Sequence, residues 1–404
     1  MAATYSWIDE FSDKLLQLDT AHLRRKRRVV MSSEGAYLSI DGEQLLAFCS
    51  NDYLGLARHP ALIDAACMTA KQAGVGASAS PLVTGHSAEN DALERELAAF
   101  VQLPRALYFY AGYATNISIV PALVGAGDAI FSDNLNHACL IDGARLSKAS
   151  IHRYTHQHLA GLEAALSQST AKRKLVMSDA VFSMDGNVAD ITALHQLCEK
   201  YDALLLLDDA HGFGVLGETG RGSLAQADFI GPHAKRRILY MATLGKAAGV
   251  AGAFVAGDDA LIEWLMQSTR SYIFATAAPA MLASALRASL KVIAQEQWRR
   301  DHLTKLITRL RHGLAEQLKG SAWQLLPSNT PIQPLVIGSN EDALAVMAGL
   351  RQRGIWVPAI RPPTVATGTA RMRIALSALH NDEDVDRLTQ ALGELHTELT
   401  RMTT

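Results

Sequence analysis

Cysteine is scarce in this 404-residue chain: Cys49, Cys67, Cys139 and Cys198 stand far apart, with no C-x-x-C pair and no Cys/His grouping of zinc type. A disulfide scaffold is thereby excluded, and four reduced thiols are expected. No apolar stretch approaches the ~20 residues needed to span a bilayer. Charge of one sign is lacking too: 38 Lys and Arg against 40 Asp and Glu give a net charge of -2, so no global field favours nucleic acid or an anionic membrane. No G-x-G-x-x-G opens the first βα unit, which argues against a dinucleotide-binding dehydrogenase. Internal repeats and low-complexity linkers are absent. The opening "MAATYSWIDEFSDKLLQL" carries acidic residues and no apolar h-region, so it reads as neither a signal nor a transit peptide, and a cytoplasmic location is expected.

What is present is a chain that is 49% hydrophobic and 19% charged, with ample core for more than one domain. The first thirty or so residues read as helical, the basic run "LRRKRRVV" as a solvated helix face, and a hairpin is expected around Asp41-Gly42. From there "ALYFY", "DAIFSD", "SIHRYT", "KLVMSDAVFS", "ALLLLDD", "RILYMAT" and "GAFVAG" are strand candidates, separated by helical segments such as "SAENDALERELAAFV" and "DITALHQLCEKY". This alternation predicts an α/β fold with a mostly parallel sheet covered on both faces. Helical sequence from about 278 to 318 then leads to a smaller α+β domain. The expected division is an N-terminal segment 1–55, a large α/β domain 56–290 and a C-terminal α+β domain 291–404.

Ligands of open parallel sheets bind beyond the carboxyl ends of the strands, and the informative residues stand there. In "TLGKAAGVAGAFV" a single lysine, Lys246, sits among small and apolar residues, where an unpaired ammonium would be costly. Alone it reads as a snorkelling side chain. Together with Asp208, at the end of "LLLLD", it suits a pyridoxal phosphate (PLP) enzyme, where a carboxylate keeps the ring nitrogen protonated and an amine condenses with the aldehyde. His211 follows Asp208 by three residues. Gly112 and Tyr113 open an expected helix whose free N–H groups suit a phosphate, and Thr243 offers a hydroxyl. His137 lies past another strand, where its ring could stack on the cofactor. Ser183 in "AVFSMDG" could reach the phenolic oxygen. His152, His156 and His158 in "HRYTHQH" look metal-like but have no carboxylate nearby in sequence, and no metal site is assigned.

These residues resemble the α-oxoamine synthases, PLP enzymes of fold type I that condense an amino acid with an acyl thioester and release carbon dioxide. The resemblance rests on "SNDYLGL", "AGYATN", "FSMDG", "DDAHGFGVLGETGRGS" and "TLGKAAGVAGA", in that order over nearly the whole chain. It implies that Lys246 forms the Schiff base, Asp208 pairs with the pyridine nitrogen, and His211 and Ser183 contact the phenolic oxygen. It further implies that His137 stacks on the ring and that Gly112, Tyr113 and Thr243 hold the phosphate. Lys246, His137, Asp208 and His211 would be the catalytic set. "IQPLVIG" and "IRPPTVATGTARMRI" look most like the branch that joins L-alanine to a pimeloyl thioester, carried on coenzyme A or acyl carrier protein. Arg361 would then grip the alanine carboxylate, Thr364 and Asn51 would line the substrate site, and Arg24 would meet the far carboxylate of the pimeloyl chain. Family members are homodimers with sites at the subunit interface, so Thr276 is expected to reach a partner's phosphate. Ala77 and Ala79 depart from the usual glycine-rich loop, and Ala366 from the usual proline. The competing readings are a sister synthase using glycine or serine, and a non-catalytic scaffold subunit, which would lack the lysine.

Overall fold

Seven of the apolar runs become seven strands of one sheet in the computed structural model, which describes residues 6–229 and 234–403. The sheet lies within the compact unit Asn51–His302. From one edge the strands run Arg105–Phe109, Ala253–Gly257, Ile238–Thr243, Leu204–Asp208, Lys174–Asp179, Ala129–Asp133 and Ser150–Tyr154. The last five in that order are mutually parallel, and only Ala253–Gly257 runs antiparallel to both its neighbours.

Burial on both faces explains the unbroken apolarity of these strands. Within Leu204–Asp208, Leu206 packs with Met177, Ile130, Leu239 and the helix residues Ile119 and Val120. Its neighbour Leu205 points to the opposite face, with Val176, Phe131, Leu162 and Leu194, as the two-residue strand period requires. Register then fixes what meets at the carboxyl edge. Asp179 stands opposite Asp208, Asp208 opposite Met241, and Ala253 opposite both Thr243 and Phe109. Four strand ends therefore converge on one edge.

The second unit combines the chain up to Ser50 with Leu303 onward. It holds two four-stranded sheets, one of Val30–Glu34, Tyr37–Ile40, Glu43–Ala47 and Ile355–Trp356, the other of Gln324–Leu325, Ile332–Gly338, Ala370–Ala375 and Ala359–Ile360. The hairpin at Asp41-Gly42 forms as expected, with φ of 52° and 88° at the two turn residues, the left-handed pair that this turn demands. The segment read as 1–55 is thus tied to C-terminal sequence by parallel pairing of Ile355 with Leu46 and of Trp356 with Ala47.

One local expectation is corrected. The N-terminal helix spans only Trp7–Thr20, started by a capping box between Ser6 and Asp9, and the basic run beyond it is not helical. Five successive cations would repel at helical spacings. Released from that geometry, Arg24 pairs with Asp19 at 2.5 Å, and Arg28 with Asp41 at 3.0 Å.

Gly252 tests the sheet. Its φ is +97°, and a Cβ there would lie 2.7 Å from Tyr108 Cε2 and 2.8 Å from Phe109 O. Gly252→Ala is expected to destabilise the fold by about 1–3 kcal/mol, seen as a lowered thermal midpoint; an unchanged midpoint would contradict this packing.

Candidate active site

Strand Leu204–Asp208 delivers two consecutive carboxylates to the edge, and the fold separates their tasks. Asp209 is fully buried and satisfied by neutral donors: Ser223 N at 2.7 Å, Ser223 Oγ at 2.6 Å and Tyr240 Oη at 2.8 Å. Burial pushes its pKa up to about 6. Gly222 makes room for this knot, since a Cβ there would fall 2.3 Å from Tyr240 Oη and 2.4 Å from Asp209 Oδ2. Asp208 is only 4% exposed, yet it lines a cleft. Its Oδ2 accepts from Asn116 Nδ2 at 2.6 Å and its Oδ1 from Ala210 N at 3.0 Å. Cys139 Sγ lies 3.9 Å from the same Oδ2; among the described residues Asp208 makes no ion pair, and the donors that meet it are all neutral.

Lys246 enters the same cleft from the next strand. After Thr243 the chain closes a short loop through Leu244 N to Gly252 O, 2.8 Å, and Gly249 N to Lys246 O, 2.8 Å. The half-buried amine lies 2.7 Å from His211 Nε2. His211 Nδ1 is 2.6 Å from the hydroxyl of the fully buried Tyr53, which donates to Asn51 Oδ1 at 3.1 Å. Because that hydroxyl hydrogen goes to Asn51, Tyr53 Oη accepts from His211 Nδ1–H, and His211 Nε2 keeps a lone pair for the amine. Asn51 thus reaches the cleft through Tyr53 and His211.

A cleft of about 190 Å3 brings Gly112, Tyr113, Asn116, His137, Cys139, Asp179, Ser183, Asp208, His211, Thr243 and Lys246 together. Helix Gly112–Leu123 begins without a side-chain cap, so the N–H groups at its start are directed at whatever lies beyond them. Burial holds the His137 imidazole below its usual pKa; Lys246 pushes in the same direction and Asp208 opposes. Asp179, opposite Asp208, is raised well above the carboxylate range by burial and by that neighbour's charge. Ser183 lies on a small hairpin closed by a bridge between Val181 and Val188.

The remaining expected residues lie elsewhere. Thr276 is exposed and lines a different small cavity with Pro81, His86 and Tyr110. Arg24, Arg361 and Thr364 belong to the second unit. There the Arg361 guanidinium donates to the carbonyl of His22, while its buried Nε has no hydrogen-bond partner among the described residues; burial, then nearby Arg25, lowers its pKa. His156, thought to lack a carboxylate, has one: strand pairing places Asp133 Oδ2 3.0 Å from its Nδ1. Among the described residues no group of three or more His, Cys, Asp or Glu is arranged to hold a metal. Asp179, Asn116, Cys139 and Tyr53 were not foreseen. The signal for Asp179 was available, since it ends "KLVMSD" as Asp208 ends "LLLLD".

These residues fit a cationic aromatic ring with an aldehyde and an anionic tail. Asp208 needs a positive partner, the uncapped helix offers donors to an anion, and the amine of Lys246 opens into the space they share. Asn116 Oδ1 is a buried acceptor without a donor among the described residues.

Residues 43–392 match the model of the aminotransferase class I and II family. The chain is 70% identical over 392 residues to 8-amino-7-oxononanoate synthase 1 of Polaromonas sp., covering 97% of each chain. Among solved structures it is similar to serine palmitoyltransferase of Sphingomonas wittichii, with a TM-score of 0.89, 26% identity and coverage of 98% of this chain and 99% of that one. It is also similar to 8-amino-7-oxononanoate synthase of Francisella tularensis, with a TM-score of 0.75, 28% identity and coverage of 89% and 99%. The α/β architecture expected from the sequence, that of fold type I, is the one these structures share. The chain therefore belongs to the aminotransferase class I and II family, among the 8-amino-7-oxononanoate synthases.

Proposed function

We propose that the protein condenses L-alanine with a pimeloyl thioester, releasing carbon dioxide and the free thiol carrier and forming 8-amino-7-oxononanoate for biotin biosynthesis. One observation supports this most: Asp208, His137, Lys246 and an uncapped helix start line a single cleft in a chain 70% identical to a synthase of that name. Bound there, PLP supplies an electron sink for the charge that develops at the alanine Cα.

The protein supplies the placement and the protons. Asp208, held by Asn116 and Ala210, keeps a proton on the ring nitrogen, because a buried carboxylate strongly favours an adjacent cation. Lys246 Nζ holds the cofactor aldehyde, and once free it takes the Cα proton of alanine and later returns a proton to that carbon. His211 keeps the amine on station through its 2.7 Å contact; with its hydrogen committed to Tyr53 it has none to give the phenolic oxygen, and Ser183 is the donor assigned to that oxygen. His137 covers the ring face. Gly112, Tyr113 and Thr243 take the phosphate, as the positive end of a helix suits an anion. Arg361, Thr364, Arg24 and Asn51 are assigned to the substrates, and Thr276 to the phosphate of a partner copy in a homodimer, from their sequence motifs. The protein is proposed to work in the cytoplasm; among the described residues no helix is long and apolar enough to cross a membrane.

Mass analysis of the product from L-alanine with pimeloyl-CoA, and separately with pimeloyl-acyl carrier protein, tests the reaction and identifies the carrier. At least one should yield 8-amino-7-oxononanoate; turnover only with glycine or serine and another acyl-CoA would move the protein to a sister activity. Lys246→Ala should lower turnover by about 10²–10⁴-fold and abolish the visible absorption of cofactor joined to the lysine amine, and retention of that band would refute its assignment. Tyr53→Phe leaves His211 Nδ1 without its partner, a loss of about 1–3 kcal/mol in a buried site. A kcat reduced about tenfold with KM for alanine little changed is expected, and wild-type kcat would show that His211 needs no such support.

A further inference from the structure

His137 precedes helix Ala138–Ser147 and caps it with its own ring, accepting the backbone N–H of Cys139 on Nδ1 at 3.3 Å. A main-chain N–H can only donate, so Nδ1 must offer a lone pair. Cys139 Sγ lies 2.9 Å from the same nitrogen. Burial first, and then the charge of Asp208, push the pKa of this thiol up, so it keeps its hydrogen. Asn116 Nδ2 approaches the sulfur at 3.2 Å and, as a donor, occupies a sulfur lone pair; the S–H has two acceptors in reach, Asp208 Oδ2 at 3.9 Å and His137 Nδ1 a full ångström nearer, and the shorter contact takes the hydrogen. Two donors therefore converge on Nδ1 at the positive end of a helix, where an added proton is doubly disfavoured. In a neutral imidazole the hydrogen must then sit on Nε2.

We propose that Cys139 is a positioning residue: with the helix start it locks His137 as the neutral Nε2–H tautomer, which presents a single donor to an acceptor oxygen of a bound ligand. The charged groups around the ring divide. Lys246 disfavours a second proton on His137, Asp208 favours it, and Asp179 engages the His137 backbone N–H at 3.0 Å rather than the ring. The lock supplies what these opposing charges do not. The ligand oxygen is a carboxylate or a carbonyl, since either accepts from N–H and neither requires an imidazolium. That identification rests on the proposed function, whereas the tautomer rests on the helix cap and the thiol alone.

Imidazole nitrogen NMR on the full-length, PLP-loaded protein labelled with 15N-histidine tests this, with the His137 signals assigned by their loss in His137→Asn. Near neutral pH, Nδ1 should be pyridine-type and Nε2 pyrrole-type. Cys139→Val removes the S–H at similar volume and should move His137 titration up by about one pH unit, a tenfold larger protonated fraction at a given pH. Cys139→Ser keeps a donor and should titrate as wild type. A pyrrole-type Nδ1 in wild type, an unmoved titration in Cys139→Val, or a Ser variant shifted like the Val variant would each overturn the proposal. Product analysis on the same samples separates the two readings: absent 8-amino-7-oxononanoate with the expected tautomer removes the function and leaves the lock standing.

Discussion

A carboxylate buried at the end of an apolar strand, with no ion pair among the described residues, is the constraint on which the site depends. Asp208 is 4% exposed and is met by an amide and a backbone N–H. Those neutral donors stabilise an anion, but charge buried in low dielectric is far better matched by an opposite charge. Its neighbour across the parallel register, Asp179, is raised well above the carboxylate range by burial and by the charge of Asp208, and supplies no positive charge. The most direct remedy is a cationic ring in the cleft, and the rest of the cleft suits what such a ring carries.

The adjacent Asp209 shows that position alone does not make a catalytic carboxylate. It directly follows the same strand, but two hydroxyls and an amide enclose it, and a glycine is needed merely to fit the group. One residue earlier, alternation along the strand turns the side chain toward the cleft instead. Similarly, the two histidines of the site are held by different means. His211 is fixed by Tyr53 and engages Lys246, so its role is tied to the amine. His137 is fixed by a helix start, which keeps its ring beside the cleft without a charged partner on Nδ1.

Much of this was legible in the sequence. Strands buried on two faces leave unbroken apolar runs, so "ALLLLDD" and "RILYMAT" located Leu204–Asp208 and Ile238–Thr243 to within about one residue, and the strand-end rule led to Asp208 and Lys246. Asn116, Cys139 and Tyr53 were hidden because their importance comes from register and helix placement. Asn116 stands 92 positions from Asp208 and Tyr53 158 from His211, and no local pattern records such pairs. The same reason hid the Asp133 partner of His156. The basic run after the first helix was misjudged because charge was read as solvation, although successive like charges weaken a helix. For Arg24, Arg361 and Thr364 the motif remains the support, since they lie in the second unit.

The most direct test of the central claim is the protonation state of the cofactor's ring nitrogen, read by NMR with 15N-labelled PLP bound to the wild-type protein and to Asp208→Asn. The account predicts a protonated nitrogen in wild type across neutral pH and its loss in the variant. An unprotonated nitrogen in wild type, or identical signals in the two proteins, would contradict it.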